Sequence, residues 1–175
     1  MKVERKFARA ETGVRLEEGA RIAGYASLFG VEDTGRDVVE AGAYCDSLAR
    51  ISAEGRRVKM LWQHDPACVI GVWEEVREDA RGLFVKGRLL PGVEKAREAA
   101  ELIEAGALDG LSIGYTVRRA VKDNQGRRLL KELELWEVSL VTFPMLPSAR
   151  VGAKADPSRE LARAIRSARL ELARD

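Results

Sequence analysis

Two long alternating stretches, Ser112 to Val121 and Arg128 to Val141, constrain the fold more than any other feature of this chain. A strand turns successive side chains to opposite faces, so a sustained period of two commits a segment to a sheet. In the first stretch Leu111, Ile113 and Tyr115 share one face, and Ser112, Gly114 and Thr116 share the other. In the second, strict alternation sets Leu133, Leu135, Glu137, Ser139 and Val141 against Glu132, Glu134, Trp136, Val138 and Leu140. The residues between them, Lys122-Asp123-Asn124-Gln125-Gly126, have the composition of a hairpin loop. Such a hairpin has an apolar face that other elements must cover.

The rest of the chain supplies them. Ala20 to Phe29 reads as a strand, and Val58, Met60, Trp62 and His64 alternate against Lys59, Leu61 and Gln63 along another. Val69 to Val76 and Leu83 to Leu90 form an antiparallel pair across the turn-prone Glu78-Asp79-Ala80-Arg81-Gly82. Helices are expected over Ala41 to Arg50, after the strand-like Asp37-Val38-Val39-Glu40, and over Val93 to Gly106, with Gly106 as the stop signal. A third helix begins at Asp156-Pro157, an N-cap residue followed by proline, and puts Leu161, Ile165, Ala168 and Leu172 on one face. Pro144, Pro147, Ser148, Gly152 and Lys154 mark a linker before it. The reading is one mostly β domain over residues 1–151, antiparallel and barrel-like with peripheral helices. Residues 152–175 form a linker and a C-terminal amphipathic helix.

Composition narrows the function classes. Thirty basic side chains nearly balance 28 acidic ones, which gives no general reason to bind nucleic acid or an anionic membrane. No apolar run approaches the roughly 20 residues that span a bilayer, and the charged Met1 to Lys6 start does not resemble a secretory signal. Two isolated thiols, Cys45 and Cys68, fit a reducing cytoplasm better than a disulfide framework. With one histidine and no metal-ligand spacing, neither zinc nor any other cofactor is expected.

Three segments carry residue types that do chemistry: Trp62-Gln63-His64-Asp65, Asp109 to Tyr115 around Ser112, and Leu135 to Thr142 around Glu137. Together they offer a base, a nucleophile and an orienting carboxylate. Each also has a plain structural reading. Ser112 beside Gly114 fits a strand edge where a peptide backbone approaches closely. Glu137 among apolar neighbours fits a salt bridge to an arginine. His64 fits a strand-end ring packed near Trp62 and bonded to Asp65 or to backbone. Gly110-Leu111-Ser112-Ile113-Gly114 has the form of a nucleophile elbow, but it leads into a strand instead of joining strand to helix, which argues against an esterase of that type.

At these segments the chain resembles the prohead maturation protease family of tailed phages, a group of serine peptidases. The resemblance runs from about Gly24 to Val151. Gly24-Tyr25-Ala26-Ser27-Leu28-Phe29-Gly30 resembles the family's opening strand, Trp62-Gln63-His64-Asp65 its histidine motif, and Gly110 to Tyr115 its serine motif. Glu137-Val138-Ser139-Leu140-Val141-Thr142 followed by Pro144 is similar to its third signature, although Met145-Leu146 replaces the small residues that usually follow the proline. The resemblance implies an antiparallel β-barrel of the herpesvirus-protease type. It also implies Ser112 as nucleophile, His64 as base, and cleavage of scaffold or of the capsid-protein N-terminal extension inside an assembling prohead. Self-cleavage is implied too. The C-terminal helix reads equally as a removable packaging or docking segment and as a peripheral helix packed on the barrel or a helix for self-association. The herpesvirus enzymes use a serine and two histidines. A chain with one histidine needs a carboxylate third partner, and Glu137 is preferred over Asp65. Oxyanion donors are sought near Arg118-Arg119 or in the loop from Pro144 to Pro147. The competing expectation is a non-catalytic β-barrel that serves capsid assembly as a binding or scaffold module.

Overall fold

A computed structural model describes residues 4–8, 15–17 and 20–143, with side chains from 20 onward. Nine strands and two helices follow in the order β1 (Glu4–Ala8), β2 (Arg15–Glu17), β3 (Arg21–Leu28), β4 (Asp37–Val39), α1 (Cys45–Ala53), β5 (Lys59–Trp62), β6 (Asp65–Glu78), β7 (Gly82–Leu89), α2 (Glu94–Glu104), β8 (Gly110–Lys122) and β9 (Arg128–Val141). The expected C-terminal helix lies outside the described residues, as does the boundary at residue 151.

All nine strands join one sheet, ordered β1-β8-β9-β5-β6-β7-β3-β2, with β4 alongside the start of β9. Pairing is antiparallel except where β9 meets β4 and β5. The sheet curls, so that β3 also lies against β1 and β8 across the core. Its path has two ends among the described residues, so the barrel expected from the sequence is seen here as a curled, half-closed sheet. Met60, Ile70, Leu83, Val85, Ile113, Tyr115, Val138 and Leu140 fill the concave side. Burying a large apolar side chain of this kind contributes about 1.5–3 kcal/mol.

The long hairpin forms as its alternation requires. Leu111, Ile113 and Tyr115 enter the core, and Asp123 closes the loop by accepting from the backbone N–H groups of Gln125 and Arg127. Strict alternation fails in β9, however. Gly114 faces Glu137 while Tyr115 faces Leu135, so Trp136 is an extra, bulged residue. The bulge shifts the phase by one. Leu133 and Leu135 point into the core with Val138 and Leu140, and Glu137 turns to the other face with Ser139. The expected grouping of Glu137 with Leu133 and Leu135 is therefore wrong.

Both helices end in the same way, and the first ending matters for the site. In α1 the Gly55 N–H donates to the Ser52 carbonyl at 3.1 Å and the Arg56 N–H to the Ile51 carbonyl at 3.0 Å. This is a Schellman closure, and it needs the left-handed backbone that Gly55 supplies at φ +64°. Helix α1 runs from Cys45 to Ala53, so it both starts and ends later than the span Ala41 to Arg50 expected from sequence. In α2, Gly106 at φ +70° and the Ala107-to-Leu102 bond repeat the closure at the glycine read as a stop.

Candidate active site

The β8–β9 register determines which side chains share the face opposite the core. Ser112 stands directly across from Ser139, and Gly114 across from Glu137. Directly opposed residues in an antiparallel pair have Cβ atoms about 4.5–5.5 Å apart and point the same way. On the other flank of β9, Leu61 of β5 pairs with Ser139 and Lys59 with Glu137. Ser112, Ser139, Glu137, Leu61 and Lys59 thus form one continuous patch across three strands.

His64 reaches this patch by a route that alternation does not give. Strand β5 stops at Trp62, and Asp65 pairs back with Trp62, so Gln63 and His64 are the two central residues of a tight hairpin turn. Both have left-handed backbones, at φ +51° and +63°. Two-residue hairpins favour that conformation because its twist matches the flanking strands, but they normally use Asn or Gly. A residue with a Cβ held there costs about 1–3 kcal/mol, and the surroundings must hold it in place. The Gln63 N–H donates to the Leu140 carbonyl at 2.9 Å, and its side-chain amide donates to the Thr142 hydroxyl at 2.6 Å. The His64 N–H donates to the Ser139 hydroxyl at 3.2 Å. These bonds clamp the turn onto the end of β9.

The clamp directs the imidazole at Glu137. His64 Nδ1 lies 2.5 Å from Glu137 Oε1, and the Ser139 hydroxyl donates to Glu137 Oε2 at 2.6 Å. A carboxylate can only accept, so the neutral ring carries its proton on Nδ1 and leaves Nε2 as the basic nitrogen. His64 and Glu137 are each 7% exposed, and Ser112 and Ser139 are fully buried. Gly114 is what admits the carboxylate: a Cβ built there would lie 2.1 Å from Glu137 Oε1. The room read as space for an approaching peptide backbone is filled by Glu137 itself.

The structure brings together the three residues singled out from sequence and leaves out the alternative. Asp65 is exposed, and its carboxylate accepts from the Ala67 N–H at 2.8 Å. Among the described residues Glu137 is bonded to His64 and Ser139 and to no arginine. Arg118 and Arg119 lie about 20 Å from Ser112 along β8, at ~3.3 Å per residue, so they are not oxyanion donors to it. The Pro144 to Pro147 loop lies outside the described residues. Sequence reasoning missed Ser139, which joins His64 backbone to Glu137 side chain. The signal was present, since it stands two residues from Glu137 in the quoted motif and so shares its face.

A groove of about 660 Å³ opens beside the pair. His64, Glu137, Leu61, Pro66 and Trp136 line it together with the basic residues Arg56, Arg57 and Lys59. The bulge lets adjacent Trp136 and Glu137 both reach it, and Arg56 lies over the Trp136 ring at 5.7 Å.

Comparison with known proteins finds relatives in sequence and in fold. The family model described as caudovirus prohead serine protease matches residues 8–163. The prohead protease of Enterobacteria phage HK97 is 32% identical over 136 residues, which is 74% of this chain and 58% of that protein. The chain therefore spans a little over half the length of that relative. The bacteriophage T4 capsid assembly protease has a similar fold, with a TM-score of 0.64 at 17% identity, covering 82% of this chain and 97% of that one.

Proposed function

This chain belongs to the caudovirus prohead serine protease family, and we propose that it is a serine endopeptidase with Ser112 as nucleophile, His64 as general base and Glu137 as the residue that orients His64. The observation that carries this reading is the buried 2.5 Å contact between His64 Nδ1 and Glu137 Oε1, on the sheet face that Ser112 shares. Ser112 Oγ attacks the scissile carbonyl as Nε2 takes its proton. Glu137 stabilises the imidazolium, which then protonates the leaving amine. Water repeats the sequence on the acyl-enzyme and releases Ser112.

Family membership supports a role in capsid maturation. The substrate is scaffold or the N-terminal extension of the capsid protein, cut inside the assembling prohead, and the enzyme also cuts itself. The curled sheet is compatible with a barrel of the herpesvirus-protease type. Here a carboxylate takes the place of the second histidine.

The test is co-expression with the neighbouring capsid gene. Wild type shortens the capsid product, while Ser112→Ala or His64→Ala reduces cleavage by about 10⁴-fold with an unchanged melting temperature. Undiminished shortening by Ser112→Ala protein contradicts the assignment. A non-catalytic capsid module of the same fold predicts no shortening and no Ser112-dependent labelling by a fluorophosphonate.

A further inference from the structure

The basic groove beside His64 has no part in the proton transfers above, yet it ends on the two residues that carry them. We propose that it is a substrate subsite for an acidic side chain, set about three to four residues from the scissile bond. This rests on the protease reading and adds the class of peptide that the site selects.

Three observations support it. The first is charge without a partner. Arg56 pairs with Glu54 and Glu134. Among the described residues no carboxylate lies within ion-pair distance of Arg57 or Lys59, and both are exposed at the groove. Glu74, which shares a second hollow with Arg57, is taken by Arg88 at 3.2 Å. The second is construction. The Schellman closure at Gly55 ends α1 so that Arg56 and Arg57 follow at once, and the β5–β9 register sets Lys59 beside Glu137. Leu61, Pro66 and Trp136 give the cations an apolar floor, which strengthens a charge-assisted bond by excluding water. The third is distance. Ser112 is on β8 and Lys59 on β5, with β9 between them. Ser112 faces Ser139, which faces Leu61, and Lys59 lies two residues along from Leu61. Two strand spacings across and about 7 Å along make about 12 Å, which an extended peptide covers in about three to four residues.

The site therefore takes an extended peptide whose Asp or Glu carboxylate meets the Arg57 guanidinium and the Lys59 ammonium while its backbone runs past His64 toward Ser112. Arg57 and Lys59 are specificity-determining residues here and take no part in bond making.

Randomised peptides digested by wild type, R57Q/K59Q, R57E/K59E and Ser112→Ala, with cut sites read by mass spectrometry, test the assignment. Wild type enriches Asp and Glu about tenfold at one position about three to four residues from the cut. The enrichment falls to background in R57Q/K59Q and turns to Lys and Arg in R57E/K59E. Ser112-dependent cutting with no acidic preference, or with the same preference in both variants, overturns the groove assignment alone. Cutting that is absent, or that survives in Ser112→Ala, overturns the protease reading and this inference with it.

Discussion

Glu134 and Glu137 are buried carboxylates on the same face of the same strand, 2% and 7% exposed. They differ in what surrounds them. Arg50 donates to Glu134 at 2.6 Å, with Arg118 at 3.4 Å and Arg56 at 3.7 Å. Burial alone would raise its carboxyl, but the Arg50 hydrogen bond and the charges of Arg50 and Arg118 outweigh it and hold the group below its ordinary value. Among the described residues no arginine lies within ion-pair distance of Glu137. Its carboxylate faces the His64 imidazole and the Ser139 hydroxyl, which donates to it. Permanent cations make Glu134 a fixed anchor between α1 and the sheet. The partner of Glu137 is instead an imidazole, a ring that can give or take a proton. The bulge at Trp136 separates the two settings.

Substitutions can sharpen or break that contrast. The largest effect is expected from Glu137→Gln, which keeps the shape but loses the charge that fixes the imidazole. Activity falls about 10²–10³-fold, measured as kcat/KM on a cleavable peptide, with little change in melting temperature. Wild-type activity would move the third role elsewhere. Gly114→Ala comes next, because its new Cβ would fall 2.1 Å from Glu137 Oε1 and push the carboxylate away from His64. A loss of about 10²-fold is expected in a protein that still folds, and full activity would show that the close approach is unimportant.

Glu134→Gln has the opposite signature. Activity of the folded protein stays near wild type, and the melting temperature at neutral pH falls by about 3–6 °C. The pH dependence follows from the direction of the shift. A carboxyl held low in the folded state stabilises fully above its unfolded value, and the contribution is lost as pH falls through the folded one. The gap in melting temperature between wild type and Glu134→Gln is therefore widest at neutral pH and closes below about pH 4.5. A gap that does not depend on pH would mean that Glu134 acts through packing alone.

Most of the fold was legible because alternation and turn chemistry are local. The β6–β7 and β8–β9 pairs, their loops and the glycine stop of α2 follow from residues close in sequence. What was not legible depended on distant partners. The turn at Gln63-His64 uses left-handed backbones at residues with side chains, held by bonds to Leu140, Thr142 and Ser139. Nothing near His64 announces it, so the sequence read as a strand running through. The bulge at Trp136 appears only when β9 is paired with β8. The parallel β5–β9 contact, which places Lys59 beside Glu137, joins segments far apart in the chain. The three proposed catalytic residues were found through their motifs, and their common face came from register.

Because His64 is the only histidine, one ¹⁵N-labelled imidazole reports on the central claim without assignment. In neutral wild-type protein the account predicts the proton on Nδ1 and an unprotonated Nε2. The signal of the Nδ1 proton should move in Glu137→Gln and stay in place in Glu134→Gln. A neutral ring protonated on Nε2, or an Nδ1 proton signal indifferent to Glu137, would contradict the claim that this carboxylate holds His64 as the base.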